Sequence, residues 1–280
     1  MGCLLNKNHI KVSCGYRAFE KSLGRIVMKL RILLVVATLV TVITNAVYAA
    51  RGTDGNVSII YWQAPSILNP YLSSGTKDIE SASLVIEPLG RYDETGALVP
   101  FLAEEIPTVA NGGVSADLTS ITWKLKKGLV WSDGTPVTSA DVKFSADYCM
   151  DPDGGCSQLA KFDGVKSIST PDELTVVVTF KGPMPNPYGP FMGGQTPIIQ
   201  KAQFENCMGS KAQQCTEQNF NPIGTGPFVV TEFRPNDVIQ YKANENYRDP
   251  NKPAFATLTF KGGGDATAAG RSVLETGEFD

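Results

Sequence analysis

The sequence predicts an α/β chain of the mixed, α+β kind. Runs rich in β-branched and aromatic residues alternate with stretches whose apolar residues recur at helical spacing. Hydrophobic residues make up 42% of the 280 and charged residues 19%. That balance can bury one or two cores and is too apolar for a disordered chain. Glycine and proline clusters punctuate the runs, with no internal repeat and no low-complexity tract.

The elements follow in order. Val57 to Trp62 is a strand by its β-branched and aromatic content. Gln63 to Pro70 is a loop with two prolines. From Thr76 to Leu89, Ile79, Ala82, Val85, Ile86 and Leu89 fit one helix face, with Thr76 as N-cap. Ile121, Trp123 and Leu125 alternate with polar residues, as in a half-buried strand. Lys127-Gly128 turns the chain, Leu129 to Trp131 returns, and Asp133-Gly134 turns it again. Thr138-Ser-Ala-Asp141 is a capping box opening a helix that faces inward with Val142, Ala146 and Cys149 or Met150. Trp123, Trp131 and Phe144 read as core. Leu174 to Phe180 is a strand, and Lys181 to Pro197, with its prolines and glycines, is an irregular surface loop. Phe228 to Phe233 and Val238 to Tyr241 form a hairpin, Leu258 to Phe260 a strand edge, and Ala266 to Thr276 a helix stopped by Gly277.

The amino-terminal region differs from the rest. Residues 1–49 hold seven Lys and Arg and one acid, leaving a net charge of −9 on the remainder. An acidic body without a basic patch argues against nucleic acid and against docking on anionic lipid. Lys29 and Arg31 precede the apolar run Ile32–Ile43, and Val47-Tyr48-Ala49 is a small-residue cleavage site. This is a signal peptide over 28–49, shorter in its apolar run than the ~20 residues of a spanning helix, so no anchor is expected after cleavage. Met28 reads as the true start and 1–27 as an upstream extension. Met1-Gly2-Cys3 does not complete a myristoylation motif, because Asn6 stands where Ser or Thr is needed. Past the leader, Cys149, Cys156, Cys207 and Cys215 are an even set for an exported protein and predict two disulfides. Three pairings are open; the local ones, Cys149–Cys156 and Cys207–Cys215, would each close a small polar loop. Metal-ligand spacing is absent.

Reaction chemistry is poorly represented. His9, in the leader, is the only histidine, so Ser-His and Cys-His pairs are excluded from residues 50–280. Carboxylate or Ser-Lys pairs remain open, but no spacing singles one out. Asp151 to Gly155 lacks the spacing and closing Glu of a calcium loop and reads as a turn. Gly224-Thr-Gly226 and Gly262-Gly-Gly264 match no phosphate loop and read as tight turns. No cofactor is implied, and the chain is expected not to be an enzyme.

Three ordered stretches carry a resemblance. The first is Leu102-Ala-Glu104 with Thr122 to Val142, containing Lys127-Gly128 and Trp131-Ser-Asp-Gly-Thr-Pro136. The second is Pro222-Ile-Gly-Thr-Gly-Pro-Phe228 with Asn244 to Tyr247, and the third is Leu274 to Asp280, with its Gly-Glu-x-Asp end. Together they resemble family 5 extracellular solute-binding proteins, the peptide-binding components of ABC importers, over essentially all of 55–280. The resemblance implies a two-lobe periplasmic protein closing on a small peptide and delivering it to a permease and ATPase complex. It implies that 50–280 is an incomplete lobe one without the second lobe, which puts ligand capture by this stretch alone in doubt. It also implies that the loop after the first strand meets ligand, here Trp62, Gln63 and Ala64, with Leu68 and Asn69 nearby. Met192, Gly193 and Gly194 are weaker candidates, and Gly224 to Gly226 are structural. The alternatives are a non-peptide solute (nickel chelate, haem, opine or oligosaccharide), a secreted carboxylate-dependent hydrolase, or a sensor that signals to a membrane partner.

Overall fold

The computed structural model describes residues 51–280; the proposed extension, signal peptide and start at Met28 lie outside the described residues. In chain order the elements are β1 (Asn56–Tyr61), α1 (Thr76–Ala82), β2 (Gly90–Tyr92), β3 (Leu98–Pro100), β4 (Ser120–Lys124), α2 (Ser139–Met150), β5 (Val165–Asp172), β6 (Thr175–Phe180), α3 (Lys201–Phe204), α4 (Thr216–Phe220), β7 (Phe228–Arg234), β8 (Val238–Ala243), β9 (Thr257–Gly262) and α5 (Ala266–Thr276). The mixed α/β class read from the sequence is the class observed.

Two sheets organise the described residues. The first has the order β1-β9-β8-β7, with β1 parallel to β9 and the other pairs antiparallel. The second is antiparallel, β4-β6-β5. Its period-two pattern buries Ile121 and Trp123 from β4 against Val178 and Val176 from β6. α2 packs on this sheet through Val142, Ala146 and Cys149. Thr138 and Asp141 cap it reciprocally, the Thr138 N–H donating to Asp141 Oδ2 at 2.9 Å. β2 and β3 form a small hairpin.

Several expectations are corrected. α1 starts after Gly75 rather than being capped by Thr76, and it stops at Ala82, not Leu89. The carbonyls beyond it are taken elsewhere: Val85 O accepts from Gly226 N–H and Leu84 O from Phe228 N–H. Glu87 also precedes Pro88, which disfavours helical backbone there. β9 lies between β1 and β8, not at a sheet edge. The 181–197 stretch is irregular but not wholly superficial, because Phe191 is buried with its ring 5.8 Å from that of Phe162. β5 was not foreseen; its polar sequence buries only Val165 and Ile168.

The open cysteine pairing is resolved as two local disulfides, Cys149–Cys156 and Cys207–Cys215. Among the described residues no helix is long and apolar enough to cross a membrane.

Candidate functional site

Parallel strands end on the same side of a sheet, and the space beyond their carboxyl ends is where α/β sheets bind ligands. Here Tyr61 at the end of β1 pairs with Gly262 at the end of β9. Beyond them lies an open groove of about 340 Å³ lined by Gln63, Ala64, Lys77, Asn236, Gly262 and Gly264. Trp62 stands next to it in sequence, 41% exposed and stacked on Tyr61 at 4.7 Å between centroids. An exposed indole beside a polar groove combines an apolar face with an N–H donor.

The groove's floor depends on close backbone approach. A Cβ at Gly262 would overlap the Ala64 main chain, and one at Gly263 would meet Ala269. Gly263 N–H donates to Tyr61 O at 2.6 Å, and Asn236 N–H donates to Pro65 O at 2.8 Å. Asn236 has φ of 61°, in the left-handed region that Asn tolerates, at the tip of the β7–β8 hairpin. The glycine run is therefore a tight backbone turn, as read from the sequence, and it also shapes the groove.

The loop after β1 is tied down by Asp78. Its carboxylate accepts from Ser66 N–H at 2.6 Å, Ser73 Oγ at 2.7 Å and Lys77 Nζ at 3.0 Å. Burial alone would raise the Asp78 pKa, but the Ser66, Ser73 and Lys77 donors outweigh it and hold the carboxyl below its ordinary value.

The sequence candidates divide. Gln63 and Ala64 line the groove, and Trp62, the preceding residue, is not among its lining residues. Leu68 and Asn69 do not face it: Leu68 is fully buried, and Asn69, 1% exposed, donates to Asn219 Oδ1 at 2.9 Å and Tyr148 Oη at 3.1 Å. Met192 is buried over Gly90, and a Cβ at Gly194 would overlap Ser83. Met192, Gly193 and Gly194 are not among the groove's lining residues. Sequence reasoning missed Lys77 and Asn236, which read as an ordinary helix residue and a hairpin turn.

The Gly224–Gly226 element is structural. A Cβ at Gly224 would overlap the Val85 carbonyl. Between them Thr225 Oγ1 donates to buried Glu87 at 3.0 Å, and Arg248 binds both Glu87 oxygens, at 2.5 and 3.0 Å. Burial would lower the Arg248 pKa, but Glu87 holds it above its ordinary value. The two sequence motifs also touch directly: Asn244 N–H donates to Pro227 O and its Nδ2 donates to Gly226 O, both at 2.8 Å.

Known proteins share this architecture. The Glutathione-binding protein GsiB of Shigella boydii is 26% identical over 211 residues, 75% of this chain and 38% of that protein. The oligopeptide-binding protein AppA of Bacillus subtilis, solved in complex with a nonapeptide, matches with a TM-score of 0.70 and 25% identity over 82% of this chain and 44% of its own. NikZ of Campylobacter jejuni, solved in complex with Ni(L-His), gives a TM-score of 0.67 and 26% identity over 80% of this chain and 42% of its own. The chain thus spans well under half the length of these relatives. The family model for bacterial extracellular solute-binding proteins, family 5 (middle region), matches residues 97–280. With these matches in hand, the chain belongs to the family 5 bacterial extracellular solute-binding proteins.

Proposed function

We propose that the described residues form one wall of a cleft that captures a short peptide outside the cytoplasmic membrane, for import through an ABC permease and ATPase. The observation that carries this reading is the groove beyond the carboxyl ends of β1 and β9, with the exposed Trp62 preceding its lining residue Gln63 in the chain. A peptide brings main-chain donors and acceptors as well as side chains, and needs both polar partners and apolar surface. Gln63, Lys77 and Asn236 supply the first and Trp62 the second. GsiB, described as glutathione-binding, and AppA, holding a nonapeptide, support the peptide class. The opposite wall comes from a second lobe. Two disulfides suit the oxidising periplasm to which the leader directs the protein.

NikZ supports a second reading, a chelated metal. Residues 50–280 contain no histidine, so a nickel ion would have to arrive with imidazole ligands of its own. Calorimetric titration of the full-length protein separates the readings. Saturable heat from a pool of short peptides, with none from nickel–histidine, is the expected outcome. Heat from the chelate alone would replace the peptide reading with the chelate one.

A further inference from the structure

Both disulfide-closed loops reach the same place, the back of the ligand-facing loop. Asn219 is the junction. It is buried, with its N–H donating to Cys215 O at 2.9 Å. Its Nδ2 donates to Ala212 O at 2.8 Å, inside the loop closed by Cys207–Cys215. Its main-chain O accepts from Leu68 N–H at 2.9 Å, and its Oδ1 accepts from Asn69 Nδ2 at 2.9 Å. One side chain therefore holds a bridged loop with one end and the 62–72 segment with the other.

The second bridge reaches the same segment through its own neighbours. Tyr148, next to Cys149, accepts from Asn69 at 3.1 Å, and burial pushes its pKa up to about 12, so the hydroxyl stays neutral. Immediately after Cys156, Ser157 N–H donates to Tyr71 O at 2.7 Å. Gln158 Nε2 donates to Ser73 O at 2.8 Å and Pro70 O at 3.3 Å. These contacts are buried or partly buried, where a lost partner leaves an uncompensated polar group. A hydrogen-bond chain of this kind fixes one loop geometry only while its supports are themselves fixed.

We propose that Asn219 is a positioning residue through which the Cys207–Cys215 loop, together with the Cys149–Cys156 loop, sets the conformation of segment 62–72, whose Gln63 and Ala64 line the groove. Ligand affinity then depends on both bridges although no cysteine lines the groove. The affinity part rests on the proposed peptide-binding role; the conformational part does not.

Amide hydrogen exchange of the chain tests the conformational part without ligand. In N219A, with both disulfides intact, exchange of the 66–72 amides is expected to rise at least tenfold while β4 and β6 amides hold their rates. The C207S/C215S pair and mild reduction of the unaltered protein are expected to do the same. Unchanged exchange at 66–72 in N219A, or a rise shared equally by β4 and β6, would overturn the proposal. Peptide affinity of the full-length protein is the second readout, with at least a fivefold loss expected in N219A. A loosened loop with unchanged affinity would overturn the link to binding. If the unaltered protein binds no peptide, the functional reading fails and the exchange result alone decides the scaffold.

Discussion

The β4-β6-β5 sheet and the loop from Trp62 to Leu72 lie in the same lobe and are held by different balances of contacts. In the sheet, the fixed side chains are Ile121, Trp123, Val176 and Val178, packed under α2. The loop also sinks Leu68 and Tyr71 into the core, but its main chain is held by added polar contacts: Asp78 gathers Ser66 and Ser73, and Asn219 and Gln158 gather residues 68–73. Apolar packing is non-directional and tolerates small shifts, whereas a hydrogen bond is lost within a fraction of an ångström. Both regions contribute packing, and the loop adds the directional contacts that define its geometry beside the groove.

The largest expected effect lies on the apolar side. Trp123→Ala should cost about 3–5 kcal/mol in denaturant unfolding, because a fully buried indole leaves a cavity. A loss below ~1 kcal/mol would mean that the sheet is not the stabilising element. Glu87→Ala is the intermediate case, a polar contact buried as deeply as the core. Its loss strands Arg248, which is 24% exposed on its side chain and can partly reach water. The expected cost is about 3 kcal/mol, at the low end for breaking a buried pair.

Asp78→Asn tests the polar side. Removing a buried carboxylate that accepts from three side chains or main-chain groups should cost about 2 kcal/mol near neutral pH. The pH dependence has a definite sign. The Asp78 pKa is lowered on folding, so its contribution is present above the ordinary carboxylate value of 3.8 and is lost as pH falls through the folded value. Equilibrium unfolding between pH 6 and pH 3 should therefore show a shallower decline in D78N than in the unaltered protein; parallel curves would contradict the assigned role. The smallest stability effect belongs to Trp62→Ala, about 1 kcal/mol, because the indole is 41% exposed but stacks on Tyr61. The same change should weaken peptide binding by the full-length protein about tenfold, as expected for an aromatic anchor at an interface.

The two regions were also unequally legible in sequence. Ile121 and Trp123 announce a half-buried strand locally, and Thr138 with Asp141 announces a helix start, because each signal lies within a few residues of its effect. The loop's anchors have no such signal. Asn69 looks like an ordinary polar loop residue until Asn219, 150 positions away, is placed beside it. Gln63 and Ala64 were found through family resemblance, yet Gly262 and Gly264 join them only because β9 returns parallel to β1. β5 escaped notice because lysine, serines and a proline hide its two buried positions. Local patterns thus foretell the packed sheet, whereas long-range polar pairing decides the 62–72 loop.

The most direct test of the central claim uses Trp62 as its reporter. Trp123 and Trp131 are buried, which leaves Trp62 as the exposed indole of the described residues. Emission of the full-length protein is recorded during titration with short peptides, and the response of W62F is subtracted. A saturable blue shift that disappears in W62F is the predicted result. Peptide binding detected by calorimetry with no change in Trp62 emission would contradict the placement of the ligand at this groove.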